Sequence, residues 1–253
     1  MVLKRFFARK ESPARPPAAL PAGKRVYAIG DIHGRDDLLG ALIDKIEADD
    51  GARGPVETQI LFLGDLPDRG PASRQVIERA IALAAARPET VFIKGNHEEL
   101  MIRVWDGDRP TAATFHRAGG RETLLSYGVT AEQYDSWDLG EVTDATTRVV
   151  PKAHIDFLRA FRPAYRLGDY FFTHAGVRPG IALDDQDEKD LRWIRGDFID
   201  STADFGAVVV HGHTIRDEVE ERENRIGIDT GAYASGRLTA IGLEGTDRWY
   251  LST

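Results

Sequence analysis

Several times along the chain a run of buried-type residues stops at a glycine and then delivers side chains that bind metals or phosphate. The densest case is Ile60-Leu-Phe-Leu63 followed by Gly64-Asp-Leu-Pro-Asp-Arg-Gly70. The apolar run has the length and composition of a buried strand. Two acids and a cation at its end are expensive to place inside a protein unless they bind something, and ligands of open α/β sheets sit at the carboxyl ends of the strands. Asp65 is the residue a metal would use, and Arg69 the one a phosphate would use. The pattern places Asp65 between two metal ions, with the rest of the chain supplying the other ligands.

The same unit recurs as Val26-Tyr-Ala-Ile29 ending in Gly30-Asp-Ile-His-Gly34, and as Thr90-Val-Phe-Ile93 ending in Lys94-Gly-Asn-His-Glu98. It returns as Asp169-Tyr-Phe-Phe-Thr173 ending in His174-Ala-Gly176, and as Ala207-Val-Val-Val210 ending in His211-Gly-His-Thr214. Each is weak alone, since a lone His after a strand is usually structural and an Asp-x-His pair can simply close a turn. Their coincidence at strand ends, each flanked by a glycine that permits a tight turn and close backbone approach, points to one composite site: Asp31 with His33, Asp65, Asn96 with His97, His174, and His211 with His213.

Around these units the chain alternates strand, loop and helix three times up to Glu98, a βαβαβ pattern with a largely parallel sheet. Leu38, Leu39, Leu42, Ile43 and Ile46 mark an amphipathic helix behind an Asp36 N-cap, and a second helix is expected over 72–86. Residues 99–165 read as a helical insertion that shapes the cleft, with pieces near 98–105, 111–126 and 151–161. His116, Arg117 and Arg121 could face that cleft, although His116 and His154 taken singly fit structural roles. The acid run from Asp184 to Asp190 reads as a solvated loop. Short segments at 217–222, 225–229, 237–243 and 247–251 read as hairpin strands of a second sheet. Residues 1–24, with Lys4, Arg5, Arg9, Lys10 and Arg15 beside Pro13, Pro16, Pro17 and Pro21, read as a basic, Pro-rich disordered tail ahead of a domain over 25–253.

Composition narrows the chemistry. A chain of 253 residues with 42% hydrophobic and 29% charged residues can build a sizeable core. A net charge of −8 argues against general nucleic-acid binding. With no cysteine, any metal must be held by His, Asp, Glu or Asn, which suits Mn, Fe or Zn. No apolar run approaches the roughly 18 residues of a membrane span. The start has basic residues but no apolar stretch after them, so a cytoplasmic location is expected.

Taken together, Gly30-Asp-x-His-Gly34, Gly64-Asp-x-x-Asp-Arg-Gly70, Gly95-Asn-His-Glu98, His174-Ala-Gly176 and Gly212-His213 resemble the blocks of the phosphoprotein phosphatase family of calcineurin-like metallophosphoesterases. They run in the family's order over about 25–243, and their spacing is similar to the compact bacterial and phage-type serine/threonine protein phosphatases. The resemblance implies an α/β fold, an αββα sandwich of two mixed sheets flanked by helices. It implies a dinuclear centre: Asp31, His33 and Asp65 at one metal, and Asp65, Asn96, His174 and His213 at the other, the cations orienting and acidifying a shared water. Arg69, Asn96 and Arg195 would bind the phosphate. His97 would be the general acid, oriented by Asp68, and His211 an outer residue rather than a ligand. Pro67 stands where many relatives carry Val, and the eukaryotic cleft tyrosine has no match after Gly231. The implied activity is hydrolysis of phosphomonoesters, first of phosphoserine and phosphothreonine in proteins; the alternative is symmetrical hydrolysis of diadenosine tetraphosphate.

Overall fold

The computed structural model describes residues 17–253. In β1 (Lys24–Ile29) side chains alternate between two cores, Tyr27 and Ile29 facing one and Val26 and Ala28 the other. A strand buried on both faces must lie between layers. β1 pairs in parallel with β2 (Glu57–Phe62), and β2 with β3 (Val91–Phe92). On its other edge β1 pairs antiparallel with β9 (Thr239–Glu244), which carries β10 (Asp247–Ser252). The second sheet runs in the order β4 (Ala164–Leu167), β5 (Tyr170–Thr173), β6 (Val208–His211), β8 (Arg225–Gly227), β7 (Glu220–Glu221). Its three central strands are parallel and its edges antiparallel.

The sheets meet through Ala28, Leu61, Leu63, Phe172, Val210 and Ile241. Against the outer face of the first sheet pack α1 (Asp36–Arg53), α2 (Ser73–Ala86) and α3 (Asn96–Trp105), through residues such as Leu42, Val76 and Met101. Leu191 and Phe198, from α9 (Glu188–Trp193) and α10 (Gly196–Ile199), cover Phe171 and Val209 of the second. The result is an αββα sandwich of two mixed sheets. Between β3 and β4 the chain is helical: α4 (Arg109–Phe115), α5 (Arg121–Ser126), α6 (Ala131–Asp135), α7 (Leu139–Val149) and α8 (Lys152–Arg159). A wide π-type turn at His116–Gly120, with Gly119 at φ 103°, breaks the helix expected over 111–126. No helix among the described residues is long and apolar enough to cross a membrane.

Four local expectations are corrected. The segments at 237–243 and 247–251 are β9 and β10 of the first sheet, not the second. Alternation marks a hairpin but not its partner, and β9, buried on both faces, fits the open edge of β1. Asp36 is the first residue of α1, paired with Arg79, rather than its cap. The acid run overlaps a 3₁₀ turn at Leu183–Asp185 and ends inside the first half of α9. Ala18 and Leu20 are buried between the sheets, and the Leu20 N–H donates to Gly245 O at 2.8 Å. The packed chain therefore starts before residue 24; residues 1–16 of the expected tail lie outside the described residues. Leu20→Ala should lower unfolding free energy by about 2–5 kcal/mol, read as a drop in the urea midpoint at constant slope, and an unchanged midpoint would detach this segment from the core.

Candidate metal centre

Asp65 follows β2 after Leu63 and Gly64 and is buried. Its Oδ1 accepts the His97 N–H at 3.0 Å, at the first turn of α3. Its Oδ2 faces three imidazoles, with His174 Nε2 at 3.3 Å, His33 Nε2 at 3.6 Å and His97 Nε2 at 3.7 Å. Two groups converge on it, each with ligand-type atoms within 4.8 Å of one another: His33, Asp65 and His97, and Asp65, His174 and His213. Asn96 Oδ1 stands 2.9 Å from His174 Nε2. Asp31 is beside the second group: its Oδ2 accepts the His213 N–H at 3.0 Å and its Oδ1 has no hydrogen-bond partner. The geometry thus gathers every residue expected at the centre, but puts His97 rather than Asp31 in the tight group with His33.

The donor set fits divalent cations. His33 Nδ1 donates to Pro67 O and His174 Nδ1 to Leu63 O, both at 2.9 Å. These bonds orient the rings and turn each Nε2 toward Asp65, as outer partners of metal-binding histidines do. His174 Nε2 and His213 Nδ1 face each other at 3.1 Å, leaving room for one proton or one cation between them, and His213 Nε2 is buried without a partner. Acids are concentrated here too: Asp31, Asp65, Glu98 and Asp229 are all buried. Burial, then the nearby Asp229 carboxylate, pushes Asp31 above the usual carboxylate range. Burial opposes a charge on His174, but Asp65 and Asp31 outweigh it and raise the ring to about 10. Burial, then the charge of His174, pushes His213 down to about 2. A buried site with this excess of acid calls for cations.

The backbone at the site is unusual. The non-glycine residues in the left-handed region are His33, Asp65, Asp68, Arg69 and His213, with φ of 46°, 52°, 73°, 69° and 63°. Such conformations cost on the order of 1–3 kcal/mol each and persist only where the surroundings enforce them. Glu98 is one enforcer. Its carboxylate accepts the N–H groups of Asp65, Leu66 and Gly95 at 2.9, 2.7 and 2.7 Å. Thr123, from α5, is another: its Oγ1 accepts the Asp68 N–H at 2.9 Å and donates to Asp68 Oδ1 at 2.6 Å. Gly119 O accepts the Arg69 N–H at 3.1 Å. Close approach also requires glycine at two places. A Cβ on Gly95 would stand 2.2 Å from Asp65 Oδ1, and one on Gly212 2.0 Å from Asp31 Oδ1.

Asp68, so held, accepts His97 Nδ1–H through Oδ2 at 2.7 Å. Burial works against protonation of His97, but the charges of Asp65 and Asp68 raise it. Arg69 Nη2 lies 3.1 Å from His97 Nε2. Arg195 is exposed just ahead of α10, near enough for its charge to act on His213. His211 lies outside the cluster, its Nδ1 donating to Gly212 O and its ring edge-on to Phe198. His116 bonds Tyr134, His154 bonds Tyr127, and Arg121 pairs with Asp135.

Five residues escaped the sequence reading. Asp229, at the end of the 225–229 segment read only as a strand, backs Asp31. Glu98 was quoted without a role, and the Gly-x-x-Glu spacing of a capping box was its signal. Thr123 and Ser73, which both accept the Asp68 N–H, carry no local signal. Tyr233, after Gly231, packs its ring edge-to-face on His33 at 5.6 Å, under the Arg69 guanidinium at 4.9 Å.

A profile of the calcineurin-like phosphoesterases matches residues 24–229. The bis(5′-nucleosyl)-tetraphosphatase PrpE (asymmetrical) of Anoxybacillus flavithermus is 26% identical over 236 residues, covering 84% of this chain and 88% of that protein. Among solved structures, a putative diadenosine tetraphosphatase superposes with a TM-score of 0.62 at 19% identity, covering 90% of this chain and 93% of that one. The cold-active protein-tyrosine phosphatase of a Shewanella species superposes with 0.58 at 20% identity, covering 98% and 89%.

Two outcomes are expected at the centre. Because Asp65 touches both groups, Asp65→Asn should weaken both metals at once, whereas His33→Ala should spare the ion beside His174; metal analysis after dialysis separates the cases. Because His174 is raised to about 10, the metal-free protein holds a proton there at neutral pH that a metal must displace. Metal uptake should release that proton and tighten with rising pH, seen by calorimetry in buffers of different ionisation heat.

Proposed function

The chain belongs to the calcineurin-like phosphoesterases, and we propose that it is a dinuclear metal-dependent hydrolase whose substrates are nucleoside polyphosphates of the dinucleoside tetraphosphate type. The observation that carries the hydrolase reading is the Asp65 carboxylate faced by three imidazoles, with the Arg69–His97 pair beside it. The substrate preference is supported by the curated relatives, whose shared name is asymmetrical bis(5′-nucleosyl)-tetraphosphatase. That name favours the dinucleoside polyphosphate over the phosphoprotein that the sequence put first, and asymmetrical over symmetrical cleavage.

Asp31, His33 and Asp65 would hold one ion, and Asp65, Asn96, His174 and His213 the other. Two such ions, probed first with Mn²⁺, would supply charge neutralisation and acidify water. The remaining roles fall to side chains. Arg69 and Arg195 grip the non-bridging oxygens of the attacked phosphate as planar forks. Asp68 holds the His97 Nδ1–H, which aims Nε2 at the departing oxygen. A phosphate oxygen entering beside Arg69 draws the guanidinium away from Nε2, and protonated His97 then gives that proton to the leaving group.

How much this proton matters depends on what leaves. A nucleotide departs through a phosphate whose second ionisation lies near about 6, whereas a serine alkoxide needs a proton as the P–O bond breaks. His97→Asn should therefore slow phosphoserine hydrolysis by about 10²–10⁴-fold and diadenosine tetraphosphate hydrolysis far less, with metal content unchanged. Equal losses on both substrates, or lost metal, would remove His97 from proton transfer. For the substrate itself, wild-type protein with Mn²⁺ should turn over diadenosine tetraphosphate at higher kcat/KM than a phosphoserine peptide, giving ATP and AMP on anion exchange. Two ADP would restore the symmetrical reading, and faster peptide turnover would restore the protein phosphatase.

A further inference from the structure

In a chain of net charge −8, a cation usually finds an acid, and the long-range field repels polyanions. Arg69, Arg117, Lys189 and Arg195 nevertheless form no ion pair with any described residue; the Arg69 guanidinium meets His97 and the Tyr233 ring, and that of Arg117 meets Thr114. Lys189 and Trp193 of α9 line two adjoining clefts. One, of about 360 Å³, has Arg195 on its wall; the other, of about 580 Å³, has Thr114 on its wall. Arg117 Nη2 donates to Thr114 Oγ1 at 3.3 Å. Two residues further on, Gly119 O holds the Arg69 N–H. A basic rim thus runs from Arg195 through Lys189 to Arg117 and returns to Arg69 at the metal centre. Of the acids close to it, Asp190 and Asp197 line the first cleft and are paired with Arg178, Asp190 lying also within the field of Lys189, and Glu99 is paired with Arg192.

We propose that Lys189 and Arg117 form an anion subsite that takes the phosphates lying beyond the one attacked. It deepens the polyphosphate reading above and rests on it for the identity of the substrate, though not for the binding of the anion. Arg69 and Arg195 can grip a single phosphate, but a monoester offers nothing to Lys189 or Arg117. A polyphosphate chain does, and it meets cations that need not first release an acid. The subsite therefore selects for the length of the phosphate chain.

The test is calorimetric binding of inorganic tripolyphosphate and of orthophosphate to the manganese-loaded protein, with manganese kept in excess over the polyphosphate. Lys189→Ala and Arg117→Ala should each weaken tripolyphosphate by about three- to tenfold and orthophosphate much less, and Lys189→Arg should restore the affinity. Diadenosine tetraphosphate KM should rise in step, with kcat nearly constant. If both anions weaken equally, or neither weakens, the subsite is wrong. If tripolyphosphate discrimination holds while diadenosine tetraphosphate is not hydrolysed, the subsite stands and the proposed substrate falls.

Discussion

The site depends on keeping one carboxylate ionised inside a protein. Asp65 is buried, and burial alone would favour its neutral form. The charges of His174, His97 and His33 hold it well below the usual carboxylate range instead. Every neighbouring element contributes to that balance. Three strand ends turn an imidazole toward Oδ2, and the first turn of α3 gives Oδ1 a backbone donor. Around this point the protein buries further acids, Asp31, Glu98 and Asp229, which would be mutually repulsive without cations. Metal binding and folding of this region are therefore one thermodynamic problem, as in other preassembled metal sites.

The same constraint explains the left-handed backbone. To aim short side chains from several strands at one point, the loops must turn sharply where the ligands themselves stand, so the strain falls on His33, Asp65, Asp68, Arg69 and His213 rather than on glycine. That strain is opposed by hydrogen bonds of high quality. Glu98 receives three backbone donors from two loops. The helical region between β3 and β4 reaches back through Thr123 and Gly119 to hold Asp68 and Arg69. Those helices therefore support the loop that carries the phosphate-type arginine as well as flanking the cleft.

The fold does not choose the substrate. A putative diadenosine tetraphosphatase and a protein-tyrosine phosphatase share it with similar superposition, in keeping with the rule that folds host sites rather than functions. On the function proposed above, selection would come from what surrounds the attacked phosphate. Here that surround consists of Tyr233 over His33 and Arg69, and the cations on either side of Trp193.

By itself the sequence showed the alternation of strands and helices, a second set of strands and the cluster, and the resemblance of its blocks implied the sandwich. Glycine followed by Asp, Asn or His at strand ends is a local, readable signal. It named His33, Asp65, His97, His174 and His213, which the structure gathers. Tertiary structure alone decided what no local pattern encodes. β9 and β10 joined the first sheet because β1 offered an open edge buried on both faces. Leu20 became core because Gly245 and Asp169 lie beside it once both sheets are formed. His97 came to lie beside His33 and Asp65, while Asp31 came to lie beside the second group, its Oδ2 accepting the His213 N–H. Thr123 reached Asp68 across 55 positions of chain, and a separation of that length is closed by packing, to which neither residue's sequence neighbours give any clue.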